Sequence, residues 1–183
     1  MKFTETQLPG AFLVEMEKIS DRRGFFSRIF CVKEFEERGL IPPIAQTNLS
    51  FNYQKGTLRG LHYQIDPVRE AKLIRCTKGA IYEVIVDMRP ESPTYLKHIG
   101  VELSDENRYA LYVPEMFANG YQALTDNAEV IYQVSAFYTP GAERGLRYND
   151  PMLKINWPLS VSEISSKDAE WPLWESVIRG EEI

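Results

Sequence analysis

The sequence predicts a mainly β protein, a sandwich or barrel of the jelly-roll kind. Three observations carry this. From about Leu58 to Tyr138 the chain runs in short segments rich in Val, Ile, Tyr and Leu, with partial period-two alternation. Polar turn clusters separate these segments at close spacing. Helical patterning is scarce. Many short, closely spaced strands are the signature of closed or double-sheet all-β architectures.

The elements follow in chain order. "VKEFEERG" (32–39) reads as a short helix stopped by Gly39. "LRGLHYQ" (58–64) reads as a strand, and "AKLIRCT" (71–77) as another ending at Lys78 and Gly79. "AIYEVIVDMR" (80–89) ends at "PESPT", and "YLKHIGVEL" (95–103) ends at "SDEN". "YALYVP" (109–114), "NGYQAL" (119–124) and "AEVIYQVSAFY" (128–138) complete the strands, with the turn "TDN" between the last two. "SSKDAEW" (165–171) is a candidate second helix, and "ESVIRGEEI" reads as a solvated tail. There is no repeat, linker or low-complexity tract. One domain over residues 1–183, with a short C-terminal tail from about 175, is expected.

Composition narrows the function. A net charge of −5 argues against a nucleic-acid binder. It leaves room for an anionic small ligand, because a local Arg/Lys cluster holds phosphate inside an acidic protein. Cys31 and Cys76 are far apart and are expected to be reduced, which suits a cytoplasmic protein. No signal-peptide pattern opens the sequence, and no segment has the length to span a membrane. There is no G-x-G-x-x-G and no P-loop. The two histidines, His62 and His98, stand apart, and no cysteine pair has zinc-ligand spacing. Chemistry by side chains alone, without metal or cofactor, is expected.

Strand parity ranks the candidates. Gly60, His62 and Gln64 share one face of "LRGLHYQ", and Leu61 and Tyr63 share the other. His62 therefore points with polar company, although a hydrogen-bonded structural histidine satisfies the same pattern. Strict alternation puts Arg59 opposite His62, unless a bulge or twist at Gly60 brings both to one site. Lys72 shares a face with Ile74 and Cys76, unusual for a solvated face. Tyr132 aligns with Val130, Val134, Ala136 and Tyr138, where structural aromatics are the simpler reading. Ser165 and Asp168 match a capping box, so helix capping competes with chemistry at Asp168.

Taken together, the motifs resemble the dTDP-4-dehydrorhamnose 3,5-epimerase family of nucleotide-sugar biosynthesis. The resemblance runs from about Asp21 to Asp168 through "DRRGFF" (21–26), "QTNLS" (46–50), "KGTLRGLHYQ" (55–64), "AKLIRCTKG" (71–79), "VDMRPESPTY" (86–95), "VELSDEN" (101–107), "YVPEMFANGYQAL" (112–124), "YNDP" (148–151), "INWP" (155–158) and "SSKD" (165–168). It implies a cupin-type jelly-roll barrel, usually a homodimer, working without metal or nicotinamide on a nucleotide-linked 4-keto-6-deoxyhexose. The ketone at C4 acidifies the hydrogens at C3 and C5. By the family pattern His62 is the base, Asp168 its carboxylate partner, and Tyr132 the acid on the opposite face of the ring. Lys72 matches the cation beside the C4 oxygen. Arg23 and Arg59 match phosphate-side residues. Gln46, Thr47 and Asn48 match a polar run lining the ligand, and Tyr138 an aromatic stacking on the base. Phe26, Glu143 and Lys167 match other ligand-side positions.

This chain also departs from the pattern. Asn119, in "FANG", stands near the substrate where the family commonly has histidine. Met116 replaces a frequent glycine, Arg28 a usual glutamate, and Glu83 a usual aspartate. The expected activity is epimerisation at C3, C5 or both, with dTDP-4-dehydro-6-deoxy-D-glucose as substrate. The alternatives are a single-site epimerase acting on another nucleotide 4-ketosugar and a non-catalytic nucleotide-sugar-binding jelly roll.

Overall fold

The computed structural model describes residues 1–179. Its strands are β1 (Lys2–Glu5), β2 (Phe12–Glu15), β3 (Ile19–Asp21), β4 (Gly24–Phe26), β5 (Gln46–Asn52), β6 (Leu58–Gln64), β7 (Lys72–Lys78), β8 (Ala80–Asp87), β9 (His98–Ser104), β10 (Ala110–Val113), β11 (Phe117–Ala123), β12 (Ala128–Val134) and β13 (Glu143–Gly145). Three short helices accompany them, α1 (Val32–Glu36), α2 (Ser166–Ala169) and α3 (Trp174–Arg179). Sheet I has six strands in the order β1-β2-β10-β7-β12-β5, and sheet II has five in the order β13-β6-β11-β8-β9. Every pairing is antiparallel. The mainly β, cupin-type architecture expected from the sequence is the one observed.

Period-two patterning explains the core between the sheets. Ile74, Cys76, Leu111 and Val130 of sheet I meet Ile81, Ile85, Leu103 and Phe117 of sheet II. Strand β8 reads as an almost unbroken apolar run because it is covered on both faces. Its alternate residues Val84 and Val86 lie in a second cluster with Leu61, Leu146 and Leu153. Phe35 of α1 seals part of the outer face of sheet I against Val14, Leu73 and Tyr112.

Strands β1, β2, β3, β4, β5 and β13 lie outside the segments expected to be strands. Five of the six have only three or four residues, too short for a period-two signal. Strand β5 is polar and half-solvated, an edge strand paired on one side to β12.

The stretch expected as a solvated tail from about 175 begins inside α3, whose first residue is docked: Trp174 N donates to Asp150 Oδ2 at 2.6 Å. Its indole packs on the Leu61–Leu153 cluster. Residues 180–183 of that stretch lie outside the described residues. Among the described residues, no helix is long and apolar enough to cross a membrane.

One irregularity positions the site. His62 pairs with Asn119 while Arg59 pairs with Tyr121, so Gly60 and Leu61 together face the single residue Gly120. This is the bulge that the glycine suggested. Gly60 has φ +112°, and a Cβ there would lie 2.5 Å from Gly120 Cα. The extra residue breaks alternation, so Arg59 and His62 line the same cavity.

Candidate active site

A cavity of about 470 Å³ opens between the sheets. Sheet II contributes His62 from β6 and Asn119 from β11. Sheet I contributes Lys72 from β7 and Tyr132 from β12, so base and acid candidates stand on opposite walls. A smaller hollow of about 130 Å³ shares His62, Lys72 and Tyr132 and is also lined by Gln46, Asn48, Tyr138 and Glu143.

His62 is held on both sides. Its Nε2 lies 2.6 Å from Asp168 Oδ1. Asp168 comes from the first turn of α2, where its own N–H donates to Ser165 Oγ at 3.1 Å. Its other oxygen, Oδ2, accepts from Gly60 N at 3.1 Å. The two readings of Asp168 therefore combine: the backbone is capped and the carboxylate serves the histidine. Burial pushes the Asp168 pKa up, but the His62 bond and charge, with Gly60 and Ser165, outweigh it and hold it below its usual value. With Nε2–H donating to Asp168, the imidazole lone pair is on Nδ1, which faces Glu143 Oε1 at 4.0 Å. Trp171 meets the imidazole edge-on, with ring centroids 6.3 Å apart.

On the opposite wall, burial raises the Tyr132 pKa above that of an ordinary phenol, and the negative charge of Glu70 adds to this against Arg59. A phenol so placed stays protonated and can donate. Lys72 is buried, with Nζ 3.0 Å from Glu70 Oε1 and donating to Asn119 Oδ1 at 2.7 Å. Asn119 Nδ2 in turn donates to Glu83 Oε1 at 2.9 Å. Arg59 is exposed at the cavity. Its Nε donates to Asn52 Oδ1 at 2.9 Å and its Nη2 to Phe51 O at 3.2 Å, which fixes the plane of the guanidinium.

The other expected residues divide. Gln46 Oε1 accepts from Tyr138 N at 3.1 Å, tying together two linings of the smaller hollow. Lys167 forms an ion pair with Glu143. Thr47 is exposed on the other face of β5 and lines neither cavity, because alternation sends Gln46 and Asn48 inward and Thr47 outward. Arg23 and Phe26 also stay outside. They belong to the β3–β4 hairpin, where Arg23 is paired with Asp21 and Phe26 is 71% exposed. Arg28 lies 3.4 Å from Glu34, away from both cavities, and Met116 occupies a left-handed turn at φ +59°.

Sequence reasoning passed over Ser50, Tyr121 and Glu70. Ser50 shares the parity of Gln46 and Asn48, a signal that would have found it. Glu70 precedes Lys72 by two positions, the spacing of a same-face pair. Nothing local marks Tyr121, whose hydroxyl meets Ser50 Oγ at 2.8 Å across 71 positions of chain.

Comparison with known proteins agrees with this geometry. The family model described as dTDP-4-dehydrorhamnose 3,5-epimerase matches residues 5–176. The Shigella flexneri dTDP-4-dehydrorhamnose 3,5-epimerase is 41% identical over 169 residues, 92% of this chain and 93% of that protein. The crystal structure of the Elizabethkingia anophelis enzyme of the same name superposes with a TM-score of 0.93 at 36% identity, covering 96% of this chain and 97% of the other. A Legionella pneumophila dTDP-6-deoxy-D-glucose-3,5-epimerase, solved in complex with dTDP-4-keto-L-rhamnose, gives a TM-score of 0.85 at 38% identity, covering 92% and 89%. The ordered motifs, the two-walled cavity and these matches have one common account: the chain belongs to the dTDP-4-dehydrorhamnose 3,5-epimerase family, isomerases that act as carbohydrate epimerases.

Proposed function

We propose that the protein converts dTDP-4-dehydro-6-deoxy-D-glucose to dTDP-4-dehydro-L-rhamnose by inverting C3 and C5 in turn. The observation that carries this is the placement of the His62–Asp168 pair on one wall and Tyr132 with Lys72 on the other. His62 Nδ1 takes the proton α to the ketone, and Asp168 stabilises the imidazolium that forms. Negative charge moves onto the C4 oxygen, where the Lys72 ammonium meets it. A donor in that role is commonly worth about 3 kcal/mol of barrier. Tyr132 returns a proton to the opposite face of the enolate carbon, and the configuration inverts. Arg59 holds the diphosphate, and Gln46, Asn48 and Tyr138 the rest of the nucleotide side. The curated relatives at about 40% identity are 3,5-epimerases, which favours neither a single-site epimerase nor a non-catalytic binder.

The working unit in this proposal is a homodimer in the cytoplasm. Arg23 and Phe26 stand on an exposed hairpin with Ile19 (71% exposed) and Phe25 (43%). An apolar hairpin bearing two expected ligand residues, outside its own cavity, supports their reaching a partner's cavity.

Incubation with dTDP-4-keto-6-deoxyglucose in deuterated water tests the reaction. Deuterium enters at C3 and C5, and His62→Ala loses most of that exchange. No uptake above the enzyme-free control rejects the substrate, and full exchange in His62→Ala rejects the base.

A further inference from the structure

Lys72, Asn119 and Glu83 form a polar chain that crosses from sheet I into sheet II. Glu83, on β8, is wholly buried, and its second oxygen, Oε2, has no hydrogen-bond partner. A fully buried carboxyl with one amide donor and an orphaned oxygen calls for a physical reason. Three strands surround it. Lys72 approaches from β7, and Tyr121 and Asn119 from β11, while its partner on β9 is the apolar Val101.

Amide geometry supplies the reason. Only one orientation of Asn119 suits a cation, with Oδ1 toward Lys72; turned over, Nδ2 would face the ammonium. Glu83 accepts from Nδ2 and so fixes that orientation. Lys72 has three N–H donors. Glu70 and Asn119 engage two, which leaves the third for an oxygen in the cavity. The two departures from the family pattern are also complementary in reach: asparagine is shorter than histidine, and glutamate is one methylene longer than aspartate.

We propose that Glu83, acting through Asn119, is a positioning residue for the Lys72 ammonium, and that it serves as the neutral carboxylic acid. The proposal rests on Lys72 being the cation at the C4 oxygen. A neutral acid can accept from the amide through its carbonyl oxygen while adding no charge beside Lys72. An ionised Glu83 would put a second carboxylate behind a cation that Glu70 already faces, and would draw the ammonium away from the cavity. Burial, acting against the Asn119 bond and the Lys72 charge, raises the Glu83 carboxyl to about 8, in keeping with the neutral form at neutral pH.

The test follows the full-length protein and two variants from about pH 6 to about pH 10. The first readout needs no substrate: the ¹⁵Nζ resonance of Lys72, assigned with Lys72→Arg. It shifts as Glu83 ionises in the wild type, and that shift is absent in Glu83→Gln. The second readout is kcat against KM on dTDP-4-keto-6-deoxyglucose. Glu83→Met lowers kcat by about tenfold or more with KM nearly unchanged, and Glu83→Gln, which keeps the accepting carbonyl, recovers most of that loss. The same Lys72 pH profile in wild type and Glu83→Gln overturns the proposal, as does wild-type kcat in Glu83→Met. If Glu83→Met does not fold, the Lys72 resonance decides. If the wild type turns over no ketosugar, the activity reading falls separately, and the resonance still decides the coupling.

Discussion

Asp168 Oδ1 reaches His62 Nε2 at 2.6 Å across 106 positions of chain. That bond fixes which nitrogen is free to act, because the proton on Nε2 leaves the lone pair on Nδ1. Asp168→Asn keeps the size of the group and removes its charge. The expected result is a fall in kcat of about 10²-fold or more, with KM little changed. Deuterium exchange at C3 and C5 measures it, and exchange at the wild-type rate would contradict the dyad.

Tyr132 separates deprotonation from inversion. Tyr132→Phe removes the donor on the sheet I wall and leaves the His62–Asp168 pair intact. Solvent deuterium should still enter at the carbon facing His62, with retention, while net inversion falls by about 10²-fold. NMR of the recovered sugar distinguishes the two, since the retained and inverted products are diastereomers with distinct chemical shifts. Inversion at the wild-type rate would move the acid elsewhere.

Much of this site was legible in the sequence, for identifiable reasons. Strands β7, β8, β11 and β12 carry Lys72, Glu83, Asn119 and Tyr132, and each has an apolar pattern, alternating or continuous, long enough to read. Gly60 in a strand announced the bulge that puts Arg59 beside His62. Local pattern does not encode which distant strands meet. The contact of Lys72 with Asn119 joins the two sheets over 47 positions, and no window of sequence contains it. Thr47 shows the converse: a motif run spans both faces of its strand, because a strand turns every second residue away.

The bulge makes a stability prediction. Gly60→Ala places a methyl group where Gly120 Cα and Asn119 O already sit, at a φ of +112°. The expected cost is more than about 1 kcal/mol, with Arg59 and His62 no longer sharing one cavity. Urea unfolding reads the first effect and KM for the nucleotide sugar the second. A variant with wild-type stability and KM would show that the close approach is not needed.

Asp87 carries part of the acid limit of the fold. Burial pushes its carboxyl up, but Arg89, Ser92 and Thr94 together outweigh burial and bring it to about 2. Its folded pKa is thus depressed below the ordinary aspartate value of 3.8, so its stabilisation is present above that pH and is lost as pH falls toward about 2. Asp87→Asn should cost about 2 kcal/mol at neutral pH and flatten the acid limb of the stability curve. Denaturant midpoints at about pH 7 and about pH 3 check this, and an unchanged slope would assign the acid limb to other carboxyls.

Glu83 has the opposite sign. Its folded pKa is raised from the ordinary glutamate value of 4.5 to about 8, chiefly by burial. The native state therefore holds that proton more tightly than the unfolded chain does. Its favourable contribution is fully present below 4.5 and drains away as pH rises toward 8. Glu83→Gln cannot ionise and should lose the decline. Relative to wild type it gains stability between about pH 5 and about pH 8.5, whatever the isosteric exchange does at the acid end. Paired urea titrations at those two values give the difference directly. A wild-type decline that Glu83→Gln retains in full would mean that the buried carboxyl titrates in its ordinary range, and that the orphaned oxygen beside Asn119 is already charged at neutral pH.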